Sequence, residues 1–408
     1  MKDFLMFGED RSIYNEIPVD IDTFIEDDYY LGKATNNGKN IFPFWRSTLY
    51  SMFHIEEINN YDEMFLATAT NTGKTKISIL AFTYVLYCYM CLKNPNTFFK
   101  FSQDSKLAFM ICDSSSEIKE AKNIFLNYIK TSGWFARHGE FIYKKDIHDI
   151  SFLHCYKPFN NIEIIYACNC DDIYGVQIVC TYFHYNTYRT DRCSTLKFYN
   201  SIDARIKSRT IKEGKYYGKL ITDLELTNEE VNIQLVNEKR KSMNVCFISG
   251  SQFQIKPLKT FNWSKSFIIT YDGIYGHSKV ITKEDIILGE RQEKEYKVIE
   301  CPISLLNAAK LDPDTFLLMI CGIQLSIKHK PIQGIDILKD LFSGKPIMQK
   351  NSMLFYKFHK ENDHYVISAY RTDHDNSKEK DILSVDCSVA LFISKLLNCN
   401  DWVSYDIE

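Results

Sequence analysis

The feature that most constrains this chain is one continuous stretch over residues 64–87, MFLATATNTGKTKISILAFTYVLY. A short apolar segment leads into a glycine-containing loop, and a long apolar segment follows. Residues 68–75 match the P-loop pattern G-x-x-x-x-G-K-[ST], except that Thr68 replaces the first glycine. Such a loop opens a helix whose N-terminus faces bound phosphates. The pattern predicts a nucleotide-binding fold, with a simple turn before a buried helix as the alternative.

The chemistry of a P-loop rests on backbone N–H groups that point at phosphate oxygens. We expect Lys74 to reach the outer phosphates and the Thr75 hydroxyl to hold Mg²⁺. Thr68 is the departure, because threonine does not readily adopt the positive φ that glycine permits. The predicted nucleotide-binding residues of the loop are Thr68, Asn71, Thr72, Gly73, Lys74 and Thr75.

The order of the predicted elements indicates a parallel sheet. A strand at residues 63–67 precedes the loop, and a buried helix at 77–92 follows it. The next strand, at 107–112, leads to a helix with apolar residues at three- and four-residue spacing. Strand, helix, strand, helix is the βαβ order of α/β proteins. Further strands are predicted at 162–169, 176–183 and 219–226, a turn followed by a helix within 40–53, and a helix at 201–209.

Composition sets the general class. A length of 408 residues suggests about two or three domains. The net charge of −3 does not fit a protein that coats nucleic acid, although it is compatible with a few local contacts to DNA. The 13 cysteines are scattered and the N-terminus is acidic, so we expect a reduced, cytosolic protein. The apolar run at 77–92 is shorter than the roughly 20 residues of a membrane span, so no membrane association is predicted.

Five stretches, in order along the chain, resemble the large terminase subunit of tailed bacteriophages, the ATP-driven motor and nuclease of DNA packaging. They are FPFWRSTLYSMF, NTGKTKISILAFTYVLYCYMCLKNPNTFF, LAFMICDSSSEIKEAKNIFLNYIKTSGWF, KVIECPISLLNAAKLDPDTFLLMICGI and FISKLLNCNDWVSYD. The resemblance implies an α/β fold class: a P-loop (ASCE, RecA-like) ATPase core with a mainly parallel sheet, then a partial RNase H-like domain. It implies ATP and Mg²⁺ as cofactors, with Phe42 and Trp45 stacking near the adenine.

The same resemblance implies the setting of the protein. Its partners would be double-stranded DNA, the portal and procapsid, and a small terminase subunit, with a homo-oligomeric ring as the working form. Its place would be the host cytoplasm, transiently at the procapsid portal. The implied domains are an N-terminal segment over 1–60, the ATPase domain over 61–265, a lid or linker over 266–325 and the nuclease domain over 326–408.

The acidic pair of the resembled ATPases does not stand where it is expected. In that family a strand ends in Asp-Glu, whereas the corresponding strand here ends in His184 and Tyr185. Histidine is a poor Mg²⁺ ligand and tyrosine is not a base near neutral pH. The next strand, where the family has small hydroxyl residues, carries Asp223 and Leu224. Candidates for a displaced pair are Asp171 and Asp172, for which a turn before Gly175 is the alternative.

The nuclease site is also predicted to be incomplete. An RNase H-like site holds two divalent metals with about three carboxylates. The match at VSYD supplies Asp406, and a first-strand carboxylate would be Asp373 or Asp375. We therefore expect no nuclease activity from this chain alone. Three hypotheses stay open: a packaging motor, a non-hydrolysing scaffold or binding subunit of the same fold, and a chain whose missing carboxylates come from a second protein.

Overall fold

The computed structural model describes residues 5–54, 58–113, 118–145, 152–159, 161–167, 175–186, 192–271, 278–281, 297–325, 348–349, 352–361, 364–372 and 378–386. The chain divides into two compact units, Met1–Lys328 and His329–Glu408. Several predicted site residues lie outside the described ranges, namely Asp171, Asp172, Asp373, Asp375 and Asp406.

A six-stranded sheet forms the centre of the first unit, in the order β10-β1-β9-β6-β2-β5. Every neighbouring pair in it is parallel, which confirms the predicted α/β class. The strands of the ATPase region are β1 (Glu63–Thr68), β2 (Leu107–Asp113), β3 (Gly139–Lys145), β4 (Phe152–Pro158), β5 (Ile162–Ala167), β6 (Gln177–Tyr185), β7 (Ile211–Lys212), β8 (Lys215–Tyr216), β9 (Lys219–Leu224) and β10 (Val245–Gly250).

Both faces of this sheet are covered, as expected for parallel strands, and β1 and β9 are buried along their whole length. Helix α4 packs on one face, and α8 covers the other with Phe198, Tyr199 and Ile202. The helices are α1 (Ile21–Glu26), α2 (Gly32–Thr35), α3 (Pro43–Met52), α4 (Lys74–Met90), α5 (Pro95–Phe99), α6 (Ile118–Thr131), α7 (Gly133–His138), α8 (Arg192–Thr210), α9 (Glu230–Lys241) and α10 (Gln252–Ile255). Within the described residues, none of the helices has the length and apolar character needed to cross a membrane.

The first forty residues are acidic, yet the described ones include helices α1 and α2. Helix α1 is capped by Asp20, whose carboxylate accepts the Thr23 N–H at 2.8 Å. Phe24 of this helix is fully buried against Tyr84 and Tyr87 of α4, with ring centroids 5.1 and 4.8 Å apart. Apolar side chains between the acidic ones thus complete the core on the α4 side of the sheet.

Two further sheets follow the parallel one. In residues 266–325, β11 (Ser266–Tyr271) lies between β12 (Ser278–Ile281) and β13 (Lys297–Pro302), all antiparallel, and packs with short helices Leu306–Leu311 and Pro313–Met319 around its own core. The second unit contains an antiparallel sheet of β14 (Met348–Gln349), β15 (Ser352–Glu361), β16 (His364–Thr372) and β17 (Lys378–Asp386). Strands β15 and β16 pair as an antiparallel hairpin, and the RNase H-like fold stays a prediction.

Candidate nucleotide-binding site

The P-loop forms without strain at its unusual threonine. Thr68 is the last residue of β1, fully buried and paired with Gly250 of β10, so its backbone is extended. The left-handed conformations of the loop fall on Asn71 (φ 55°) and Gly73 (φ 85°). Asparagine and glycine tolerate that region best. The expected conflict at Thr68 was therefore wrong, because the position does not require a positive φ.

The threonine hydroxyls also hold the loop together. The Oγ1 atoms of Thr68 and Thr72 are 2.9 Å apart, and Thr72 donates to the carbonyl oxygen of Ala69 at 3.0 Å. A glycine at position 68 would lack the first of these contacts. The hydroxyl-rich sequence ATATNT thus supplies internal hydrogen bonds that fix the shape of the loop.

Neighbouring segments fix the first half of the loop. The Ala69 N–H donates to Gly250 at 3.0 Å, and the N–H and hydroxyl of Thr70 both donate to the Met319 carbonyl, at 3.0 and 2.8 Å. The second half continues into α4, which begins at Lys74. The first-turn N–H groups of a helix have no intrahelical carbonyl to bind. They are the groups a P-loop uses for phosphate.

A cavity of about 250 Å³ lies beside this turn. Asn71, Thr72 and Gly73 form its loop side, and Phe42 and Trp45 lie on another side. Its volume is a little below the roughly 300–1,000 Å³ of small-molecule sites, so it suits one part of a nucleotide, such as the base. Phe42 is partly exposed. The remaining lining residues are Ala34, Thr35, Asn40, Ile41, Lys76, Ile77 and Tyr128.

Trp45 holds the P-loop through a hydrogen bond. Its ring is 1% exposed, and its Nε1–H donates to the Thr72 carbonyl oxygen at 2.7 Å. The indole thus fixes the loop directly before Gly73. The predicted stacking of Phe42 and Trp45 on adenine stays a prediction, and the observed contact adds a structural role for the tryptophan.

Replacing Trp45 with phenylalanine should weaken nucleotide binding about fivefold, because one buried hydrogen bond to the loop is worth about 1 kcal/mol. Titration of a fluorescent ATP analogue measures this change. The control is Trp263→Phe, since Trp263 is 38% exposed and does not border the cavity. Equal affinities for wild type and Trp45→Phe would show that this contact does not shape the phosphate loop.

The P-loop lysine lies between the ends of two strands. Lys74 Nζ donates to the carbonyl oxygens of Thr68, at 2.9 Å, and Leu224, at 2.8 Å. Burial lowers the pKa of Lys74, and the charges of Asp223 and Glu225 partly oppose that shift. The ammonium group is held in place by weak carbonyl acceptors, which phosphate oxygens would replace with stronger, charge-assisted bonds.

The P-loop threonine contacts a buried carboxylate. Thr75 Oγ1 donates to Asp223 Oδ2 at 2.8 Å, and Asp223, on β9, is completely buried. His184 Nδ1 lies 2.6 Å from Asp223 Oδ1, and the Tyr182 hydroxyl donates to the same carboxylate at 3.1 Å. Burial would raise the pKa of Asp223, but the charge and hydrogen bond of His184, together with Lys74 and Thr75, lower it. The carboxylate is thus stabilised in its charged form.

Thr75 and Asp223 are the pair that fits a magnesium ion. P-loop proteins hold Mg²⁺ with the P-loop hydroxyl and a carboxylate from a neighbouring strand, and Mg²⁺ prefers such oxygen ligands. The sequence placed Asp223 where the resembled family has a small hydroxyl residue and did not predict this contact. The available signal was the apolar run of strand 219–224, LIT followed by an aspartate. His184 and Tyr185 do stand at the end of β6, where the acidic pair was expected.

Comparisons with known proteins support the P-loop assignment. Residues 3–151 match the family model described as the N-terminal P-loop domain of the uncharacterized protein MJ0330. No curated protein gives a significant match. The crystal structure of the HK97 bacteriophage large terminase is similar at 12% identity and a TM-score of 0.42, over 93% of this chain and 70% of that chain. Fold, loop and family model together define an α/β protein with a P-loop domain.

Proposed function

We propose that this chain binds a nucleoside triphosphate, ATP, together with Mg²⁺ at residues 68–75. The observation that carries the proposal is the Thr75–Asp223 hydrogen bond, which places a buried, charged carboxylate on the P-loop hydroxyl. A simple turn before a buried helix does not require a fully buried aspartate beside the Thr75 hydroxyl. A nucleotide loop does, because that carboxylate completes the metal site.

Each element has a defined task in this proposal. The N–H groups at the start of α4 would receive phosphate oxygens, and Lys74 would exchange its two carbonyl acceptors for the outer phosphates. The cavity beside Trp45 would take the base. Bound Mg²⁺ would neutralise charge on the outer phosphates, with Thr75 and Asp223 as its protein ligands.

Nucleotide binding by the Lys74→Ala variant tests the proposal. We expect the affinity for a fluorescent ATP analogue to fall about 10- to 100-fold, since a hydrogen bond to a charged group is worth about 1.5–3 kcal/mol. Lys93→Ala is the matched control, because Lys93 is exposed and borders neither the loop nor the cavity. Failure of the wild-type protein to bind, or equal binding by Lys74→Ala, would contradict a nucleotide site here.

We further propose that ATP turnover drives translocation of double-stranded DNA into a procapsid, with the portal and a small terminase subunit as partners. The sequence resemblance to large terminases supports this reading. The alternative is a non-hydrolysing relative that acts as a scaffold, which the absence of a carboxylate at His184 and Tyr185 supports. Phosphate release that rises when DNA is added would favour the motor. Nucleotide binding without phosphate release would favour the scaffold.

A further inference from the structure

We infer that the acidic pair required for hydrolysis lies at the carboxyl end of β9 in this protein, with Asp223 at the metal and Glu225 orienting the attacking water. The inference rests on the proposed nucleotide site and adds a hydrolytic activity to it. It replaces the expectation that the pair should follow β6, the strand that ends in His184 and Tyr185.

Strand β9 brings an aspartate directly to the P-loop hydroxyl. β9 is the direct neighbour of β1, whereas β6 lies one strand further from the P-loop. Asp223 pairs with Leu66 of β1, and its short side chain already contacts Thr75.

Glu225 follows on the same side of the chain. Its N–H donates to the Tyr185 carbonyl oxygen at 3.0 Å, so the β6–β9 pairing continues one residue beyond the strand. Side chains two residues apart in extended chain point to the same face, about 6.6 Å apart. Glu225 therefore lies beyond Asp223 at the carboxyl end of the strands, and it is partly exposed there.

Lys74 connects the two acids. Its Nζ binds the carbonyl oxygen of Leu224, the residue between Asp223 and Glu225, and both carboxylates act electrostatically on it. A lysine in this position approaches the outer phosphates of a bound nucleotide. A partly exposed carboxylate beside that lysine is therefore next to the space that the terminal phosphate and its attacking water would occupy.

The end of β6 supports this arrangement and does not supply an acid. His184 holds one oxygen of Asp223, which leaves Oδ2 directed at Thr75. Tyr185 is 1% exposed and packs edge-on against Tyr199, with ring centroids 5.7 Å apart. Its backbone carbonyl is the group that binds Glu225. The two residues that replace the expected pair thus position the acids of β9.

The proposed step is ordinary hydrolysis of the terminal phosphoryl group. The Glu225 carboxylate accepts a hydrogen bond from a water molecule. It thereby orients the water so that a lone pair of the water oxygen points at the γ-phosphorus. The new oxygen–phosphorus bond forms as the bond from the γ-phosphorus to the bridging oxygen breaks. The nucleoside diphosphate leaves with that electron pair, and the protons of the water remain on the phosphate product and in solvent.

The test compares Glu225→Gln with the wild-type full chain. We expect ATP-analogue affinity to stay within about threefold, because glutamine keeps the size of the side chain, while single-turnover phosphate release falls about 100-fold or more. Glu238→Gln is the matched control, the same change on the exposed face of α9. In parallel, Asp223→Asn should lose the increase in nucleotide affinity that added Mg²⁺ gives the wild type.

The outcomes separate the inference from the proposed nucleotide site. If the wild type binds nucleotide and releases no phosphate, or if Glu225→Gln releases it at the wild-type rate, the inference is overturned and the binding site stands. If the wild type binds no nucleotide, the proposed function itself fails. Should Asp223→Asn fail to fold, as judged by thermal unfolding, the partly exposed Glu225 variant still decides the question.

Discussion

Replacing Glu63 with alanine is expected to lower the free energy of unfolding by about 3–5 kcal/mol. Glu63 opens β1 and is completely buried. Its carboxylate lies 2.6 Å from Lys239 Nζ, accepts the Thr222 hydroxyl at 2.8 Å and also accepts the Tyr199 hydroxyl. Removing the acid leaves the Lys239 ammonium, 9% exposed, without its opposite charge. Denaturant unfolding measures the loss.

Two variants check the cause of that loss. The double variant Glu63→Gln/Lys239→Met removes both charges, and we expect it to recover most of the stability, because replacing a whole buried ion pair is often neutral. Glu238→Ala, on the exposed face of the same helix as Lys239, should change the stability by less than about 0.5 kcal/mol. A loss below about 1 kcal/mol in Glu63→Ala would show that the pair is not needed for stability.

Glu63 should leave the nucleotide site intact. It stands at the opposite end of β1 from Thr68, about 17 Å away along the strand. Under conditions where the variant is folded, its affinity for an ATP analogue should match the wild type. Glu63→Ala should therefore lose stability and keep its nucleotide affinity. Lys74→Ala should do the opposite: it should lose nucleotide affinity and keep its stability.

Structural features that depend only on residues close together in the sequence could be predicted. The loop and its flanking strand and helix occupy one stretch, and hydrophobic patterning predicted five of the six strands of the parallel sheet to within a few residues, all except β10. The predicted start of α4, residue 77, is three residues late. The first turn, Lys74 to Lys76, is polar because it serves the loop, so an apolar pattern cannot detect it.

Features that depend on strand order could not be predicted in the same way. Thr75 and Asp223 are 148 residues apart, and their contact requires β9 to lie beside β1. The order of the strands along the chain instead predicted the acidic pair at the positions of His184 and Tyr185. The expected conflict at Thr68 failed for a related reason. Backbone conformation at a loop boundary depends on where the strand ends, and here β1 includes the threonine.

The N-terminal segment shows a further limit of pattern reading. Met6 and Phe7 are buried, yet they belong to no helix or strand. Their burial results from packing on α4, which is itself apolar on all sides and therefore needs cover from several segments. An acidic stretch with scattered aromatic residues gives no local signal for such packing.

Folding stability is expected to rise with pH between about 7 and 10.4 through one buried lysine, Lys219. This residue opens β9, is fully buried, and donates from Nζ to the carbonyl oxygens of Tyr61, at 2.6 Å, and Tyr216. Burial lowers the pKa of Lys219 to about 7, against the opposing charge of Asp62. A neutral amine has two N–H groups, which match the two carbonyl acceptors.

The direction follows from proton counting. An unfolded lysine has a pKa of about 10.4, so between about pH 7 and 10.4 the unfolded chain holds a proton that the folded chain has released. Stability therefore rises with pH across this window, by an amount on the order of a few kcal/mol. Below about pH 7 both states carry the proton, and above about 10.4 neither does, so the contribution of Lys219 is constant there.

A difference measurement isolates this lysine from other groups. Cysteines and tyrosines of the unfolded chain titrate in the same window and lower the stability as pH rises, since burial raises the pKa of such groups as Cys180 in the folded protein. The stability of wild type minus that of Lys219→Met should therefore increase from about pH 7 to 10.4. The same subtraction with Lys215→Met, an exposed lysine, should be flat. A flat difference for Lys219→Met would mean that this lysine stays charged in the folded protein, held by Asp62 more strongly than burial opposes it.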